Sequence, residues 1–150
     1  MGWTERSRTL LRGLEPSEQN NNQDFWGIVF GRPTAYLLLL LAGDLRFVTP
    51  NRLTHVSNLL LLLSSCLILN PDWYLSGAIL LNLSLTFDCA DGQLARYRNI
   101  GSELGSYYDK VSDYIGLTLL FGVLGWVSFE QTGEPVYFVL ALVTLSANMM

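Results

Sequence analysis

The chain has 150 residues and a formal net charge of −4, with 50% hydrophobic and 15% charged residues. Soluble domains carry roughly 25% charged residues. This lower charge, with a mean hydropathy of +0.30, excludes a disordered chain and an ordinary soluble enzyme, and favours a small membrane protein of one domain. A pI near 4.8 offers nucleic acid no global attraction. Cys66 and Cys89 lie in or beside apolar runs. They form neither a disulfide framework nor a metal-finger spacing, and read as small packing residues.

Residues 1–31 read as a polar, flexible cytosolic tail, with a low-complexity SEQNNNQ stretch from Ser17 to Gln23. The tail has no apolar core like that of a signal peptide. Residues 32–50 follow as a juxtamembrane element. Its apolar stretch, 33–48, falls short of the roughly 20 residues a bilayer crossing needs. Asp44 and Arg46 also interrupt it. It reads as an amphipathic helix in the cytosolic interface, with Pro33 near its start and Pro50 at its end. A short true span is the alternative.

Residues 51–150 make up the membrane domain. Residues 53–69 are apolar, interrupted by Ser57, Asn58, Ser64 and Ser65. Asn70, Pro71 and Asp72 form a turn, and 73–87 is the next apolar run. A polar stretch, 88–113, precedes a third run at 114–129. A second turn at 130–135 leads into a last run, 136–150. Each run is short for a span, so the helices must extend beyond the lipid: the second through Asp88 and Asp91, the third from near Glu103. Gly77, Ala78, Gly116, Gly122 and Gly125 supply small surfaces for close helix packing, and Asn58, Ser64, Ser65 and Asn82 supply interhelical hydrogen bonds. His55, Tyr107 and Tyr108 read as interfacial side chains, and Trp73 and Trp126 as an outer aromatic belt. With a cytosolic N-terminus and four spans, all nine basic residues fall on the cytosolic side. The positive-inside rule then places 88–113 at that face. The last run ends with the chain at Met149 and Met150, which suggests a truncated relative of a longer protein.

The stretch DCADGQLARYRNIGSELGSYYDKVSD carries the chemistry. Asp88 and Asp91 are spaced i, i+3 and Asp109 and Asp113 are spaced i, i+4, so each pair shares a helix face. Facing each other, the pairs make a four-carboxylate site. Such a site cannot stay ionised in a low-dielectric bundle without compensation. Hard oxygen ligands suit Mg²⁺, Mn²⁺ or Ca²⁺, and two ions with bridging carboxylates form a clamp for phosphoryl displacement. Gly92, Ala95 and Gly105 keep the faces beside the carboxylates small, so a bulky ligand can approach the backbone. Arg96 and Arg98 stand at the mouth, where a guanidinium suits phosphate oxygens. Arg98 reads first as an orientation charge.

The pattern Asp88-x2-Asp91-Gly92-x2-Ala95-Arg96-x8-Gly105-x3-Asp109-x3-Asp113 resembles the full signature of the CDP-alcohol phosphotransferase family, at all eight positions and with its spacing. The likeness reaches upstream through Thr49-Pro50-Asn51-Arg52-Leu53-Thr54. It implies an all-α integral membrane enzyme of six transmembrane helices, usually a homodimer. About four are expected here, preceded by the interfacial helix, so the last two would be missing. The implied reaction moves a phospho-alcohol group from a CDP-linked lipid or alcohol, most commonly CDP-diacylglycerol, to the hydroxyl of a small polar alcohol or a lipid, releasing CMP. Asp88, Asp91, Asp109 and Asp113 would hold two Mg²⁺ or Mn²⁺ ions, with Asp113 also the base. Gly92, Ala95, Arg96 and Gly105 would line the CDP site, and Asn51, Arg52, Leu53, Thr54 and Ser102 would add nucleotide contacts. Two other readings stand beside this one: a divalent-cation transport protein, which leaves Gly92, Ala95 and Arg96 without a role, and a nucleotide-binding fragment without turnover.

Overall fold

The computed structural model describes residues 27–43, 45 and 47–148. The low-complexity stretch of the tail, the interrupting charges Asp44 and Arg46, and the terminal Met149 and Met150 lie outside the described residues.

All regular structure among the described residues is helical. A π-turn, Gly27–Gly31, corrects the reading of a polar tail that runs to residue 31. It leads into α1, Arg32–Ala42, with Pro33 in its first turn. The expected helix through Val48 is also corrected. Glycine is a poor helix former, and α1 stops against Gly43, whose N–H reaches Leu39 O at 2.8 Å. Thr49 is extended (φ −123°, ψ 152°), as a residue before proline prefers. Pro50 then opens α2, Pro50–Ile68, where its missing N–H costs nothing.

Asn70 makes the next turn, its side chain accepting from Asp72 N at 3.1 Å. Beyond it, α3 spans Tyr74–Arg98, continuing through Asp88 and Asp91 as the short apolar run required. Asn99 ends it in the left-handed region (φ 52°), and Ile100 N–H closes back on Ala95 O at 3.1 Å. The next helix, α4, spans Glu103–Thr132. Ser102 caps its first turn by accepting from Gly105 N at 3.0 Å. The helix overruns the turn expected from residue 130 and stops at Gly133 (φ 73°). The last helix, α5, spans Val136–Asn148.

The helices pack as two hairpins. In the first, α2 lies against α3 and α1 crosses α3; in the second, α5 lies against α4. The hairpins meet where α4 packs on α2, and the backbones of α3 and α4 stay apart among the described residues. A small apolar core of Ala35, Leu39, Leu53, Ala90 and Leu94 joins α1, α2 and α3.

Elsewhere the usual order of soluble proteins is inverted. Leu59, Leu62, Ile79, Leu83, Ile115 and Leu142 are exposed, while Ser57, Ser64, Ser65 and Ser84 are buried. Large outward apolar surface with small polar residues between helices is the packing of helices in lipid. By length and composition, α4 is the one described helix suited on its own to crossing a membrane.

The polar seam between α2 and α3 is built from side chain to backbone. Ser57 Oγ donates to Ser84 O at 3.0 Å and Ser84 Oγ to Ser57 O at 2.9 Å. Ser64 Oγ donates to Gly77 O at 2.8 Å. The sequence reading of this seam needs correction in part. Ser65 and Asn82 bond back to Leu61 O and Ala78 O of their own helices. Gly77, Gly116 and Gly125 are buried, but Ala78 and Gly122 are exposed and serve no close approach.

A Cβ on Gly77 would stand 2.7 Å from Ile68 Cγ1 and 3.3 Å from Ser64 O, whereas one on Gly122 would meet nothing within 4 Å. Gly77→Leu should therefore lower stability by about 1–3 kcal/mol, the usual cost of overpacking. Gly122→Ala should leave it unchanged or raise it by up to about 1 kcal/mol. Thermal unfolding of the two purified variants in detergent checks the pair.

Candidate active site

The last turns of α3 and the first turns of α4 bring three carboxylates together. One oxygen from each of Asp88, Asp91 and Asp109 lies within 4.8 Å of the other two. Asp91 is 4% exposed, and its Oδ2 accepts from Thr54 Oγ1 of α2 at 2.5 Å. Asp109 Oδ1 is buried with no hydrogen-bond partner. Asp113, one turn further along α4, is exposed and stands outside the group of three.

A buried carboxylate oxygen without a donor is costly, and three carboxylates in mutual reach repel one another. The chemistry of this donor set, all hard oxygen with no nitrogen or sulfur, fits Mg²⁺ or Mn²⁺. The orphaned Asp109 oxygen is where such an ion would satisfy the protein. The three-way approach is notable because α3 and α4 do not pack on each other. Their side chains meet across a gap that α2 holds open.

Beside the carboxylates lies a cavity of about 850 Å³. Thr49, Pro50, Asn51 and Thr54 wall one side, and Asp91, Gly92, Ala95 and Arg96 form its floor. The α3–α4 link adds Asn99, Ile100 and Gly101, and α4 adds Ser102, Gly105, Ser106 and Asp109. A Cβ on Gly92 would approach Arg96 Nη1 to 3.5 Å, and one on Gly105 would reach Ser102 Oγ at 3.0 Å. The first is an ordinary contact, so a methyl fits at Gly92, whereas the second is tight, so Gly105 keeps the Ser102 hydroxyl from being crowded.

Asn51, Thr54, Gly92, Ala95, Arg96, Ser102 and Gly105 thus share one cavity with Asp91 and Asp109. Two expected nucleotide contacts do not. Leu53 is 6% exposed within the apolar core, and Arg52 turns away, its Nη1 donating to Phe47 O at 2.8 Å. The helical period explains both: Asn51 and Thr54 share a face that residues 52 and 53 do not. Thr54 and Ser102 also have structural bonds, to Asp91 and to Gly105 N respectively. Arg98 is not at the mouth; it binds backbone carbonyls of the α1–α2 link. His55 and Tyr108, which do not line this cavity, meet edge to face at 5.8 Å.

Sequence reasoning did not single out Ser106, Asn99, Ile100 or Gly101. Ser106 could have been found, since it precedes Asp109 by three residues and so shares its face. The other three lie in a link whose path depends on the left-handed turn at Asn99.

Residues 47–150 match the CDP-alcohol phosphatidyltransferase family, and the chain belongs to it. It is 32% identical over 123 residues to a phosphatidylinositol phosphate synthase of Corynebacterium glutamicum, covering 81% of this chain and 54% of that protein. It is 35% identical over 104 residues to a bifunctional IPC transferase and DIPP synthase of Thermococcus kodakarensis, covering 69% of this chain and 23% of that protein. The chain thus spans about half the length of the first relative and under a quarter of the second.

Thr54 gives this site a direct test. Removing the hydroxyl in Thr54→Val should weaken Mn²⁺ binding about 10–100-fold, as loss of a ligand-orienting bond commonly does, while Thr54→Ser should stay near the parent value. Titration of free Mn²⁺ by electron paramagnetic resonance reads both.

Proposed function

We propose that this chain transfers a phospho-alcohol group from a CDP-alcohol, CDP-diacylglycerol foremost, to an acceptor hydroxyl with release of CMP, as a step of phospholipid synthesis. The observation that carries the reading is the meeting of Asp88, Asp91 and Asp109 at the edge of a small-residue cavity that also holds Arg96. Family membership and the synthase and transferase names of its relatives support the same class of reaction.

In this reading Asp88, Asp91, Asp109 and Asp113 hold two divalent ions, Mg²⁺ or Mn²⁺, whose chemistry when bound is to neutralise the diphosphate and the departing CMP. Gly92, Ala95 and Gly105 leave room for the diphosphate against the helix backbones, and Arg96 pairs with a phosphate oxygen. Asn51 and Ser102 orient the nucleotide. Asp113 takes the proton of the acceptor hydroxyl. The hydroxyl oxygen then bonds to the phosphorus that carries the alcohol. The bond from that phosphorus to the bridging oxygen breaks, and CMP leaves with the electron pair. Such chemistry depends chiefly on alignment and on charge stabilisation. The exposed position of Asp113 suits a base that must meet an incoming acceptor, either a small polar alcohol or a lipid.

The same reading makes α2, α3, α4 and α5 four spans in a homodimer embedded in membrane lipid. The site then faces the cytosol, and residues 32–50 lie along the interface. Support comes from the outward apolar surfaces of these helices and from the nine basic residues, which this topology puts on one side.

CMP release from CDP-diacylglycerol with a pool of candidate acceptors tests the proposal. Release should require Mg²⁺ or Mn²⁺ and stop with a chelator. Asp113→Asn should lower it about 10²–10⁴-fold, the usual worth of a positioned base, and Asp109→Asn should abolish it. Metal-dependent release that persists in both variants would overturn the assignment.

A further inference from the structure

Arg98 is the last residue of α3, and its guanidinium makes three bonds to the backbone of the α1–α2 link. Nη1 donates to Val48 O at 2.7 Å. Nη2 donates to Gly43 O at 2.7 Å and to Leu45 O at 3.0 Å. These contacts cross fifty residues or more of sequence, and join the two edges of the 850 Å³ cavity. On one edge, Val48 directly precedes Thr49, Pro50 and Asn51; on the other, Arg98 directly precedes Asn99, Ile100 and Gly101. One of the three, Gly43 O, caps the C-terminal end of α1, where a helix favours a cation.

A planar fork with several donors can hold carbonyls from separate positions at once. Arg52 also grips this link, bonding Phe47 O from within α2 itself. It therefore fixes the link to α2 without relating it to α3. Arg98 spans from one cavity edge to the other.

We propose that Arg98 is a positioning residue that sets the separation of the two cavity edges and so the affinity for the nucleotide end of the donor. The proposal rests on the nucleotide reading given above. It differs from the role of a topology-setting charge, because lysine preserves the charge but offers a compact ammonium in place of the fork.

The experiment compares the full chain with Arg98→Lys and Arg98→Gln in detergent with Mg²⁺. It measures CDP binding by calorimetry, CMP release at varied donor concentration, and amide hydrogen exchange. Arg98→Lys should bind CDP about tenfold more weakly, as the net loss of one to two hydrogen bonds implies. KM should rise by a similar factor with kcat nearly unchanged, the signature of lost binding without lost chemistry. Exchange should quicken in residues 47–54 and stay at parent rates in α4 and α5. Arg98→Gln should match or exceed these effects. Arg98→Lys that binds CDP as the parent does overturns the proposal, and so does exchange that quickens in every helix together, which marks a general folding role. A parent chain that binds no CDP overturns the nucleotide reading and this proposal with it. That outcome is distinct from a lysine variant that equals a binding parent.

Discussion

The hydroxyl of Thr54 holds the one carboxylate that helix packing fully encloses, and the rest of the site is arranged around that bond. Asp91 lies at the crossing of α2 and α3, where burial without a donor would be prohibitive. With Asp91 fixed, Asp88 follows from the helical period, one turn back on the same face. Asp109 arrives from α4, which packs on α2 and not on α3. The middle helix therefore does two jobs: it supplies the donor for one carboxylate and the platform for the helix that brings the third. The gap between α3 and α4 is what leaves an 850 Å³ cavity open beside acidic groups.

The gathering of the acidic and small residues is legible in the sequence because it is written in short-range spacing. Asp88 and Asp91, Asp109, Gly92, Ala95 and Gly105 declare themselves through intervals of three and four, and a helix converts such intervals directly into a shared face. The extension of α3 through the acidic pair and the start of α4 at Glu103 followed from a length requirement. What could not be read were contacts made across the chain. Arg98 looked like one more cytosolic charge until its three carbonyl partners, all in the α1–α2 link, were seen. The family likeness takes Asn51 to Thr54 together, but a helix turns neighbours away from each other, so Arg52 and Leu53 leave the cavity that Asn51 and Thr54 line. The end of α1 at Ala42 is hidden in the sequence because Leu45, Phe47 and Val48 carry the apolar run past the last helical position.

The seam between α2 and α3 shows a related limit. Sequence identifies serines in apolar runs as polar contacts, but not which helix each one serves. Ser57 and Ser84 exchange bonds across the interface, while Ser65 turns back on its own helix. Back-bonding of this kind satisfies a hydroxyl locally, and neither residue type nor position along the run separates the two outcomes. Only the register between helices does, and Gly77 helps to fix that register by admitting Ile68 and the Ser64 carbonyl so closely.

The hairpin of α2 and α3 has a bearing on how the protein is made. Its turn is short, its polar seam joins α2 to α3 directly, and its inner core is shared with α1, which precedes it. All of these partners precede α4 in the chain and leave the ribosome ahead of it. Domains commonly acquire structure in that order, N-terminal parts first, and contacts close in sequence form with little loop-closure cost. The first hairpin can therefore reach its final packing while Asp88 and Asp91 still lack their third partner. In that order of folding the acidic cluster is completed last, when α4 docks on a scaffold already formed by α1, α2 and α3.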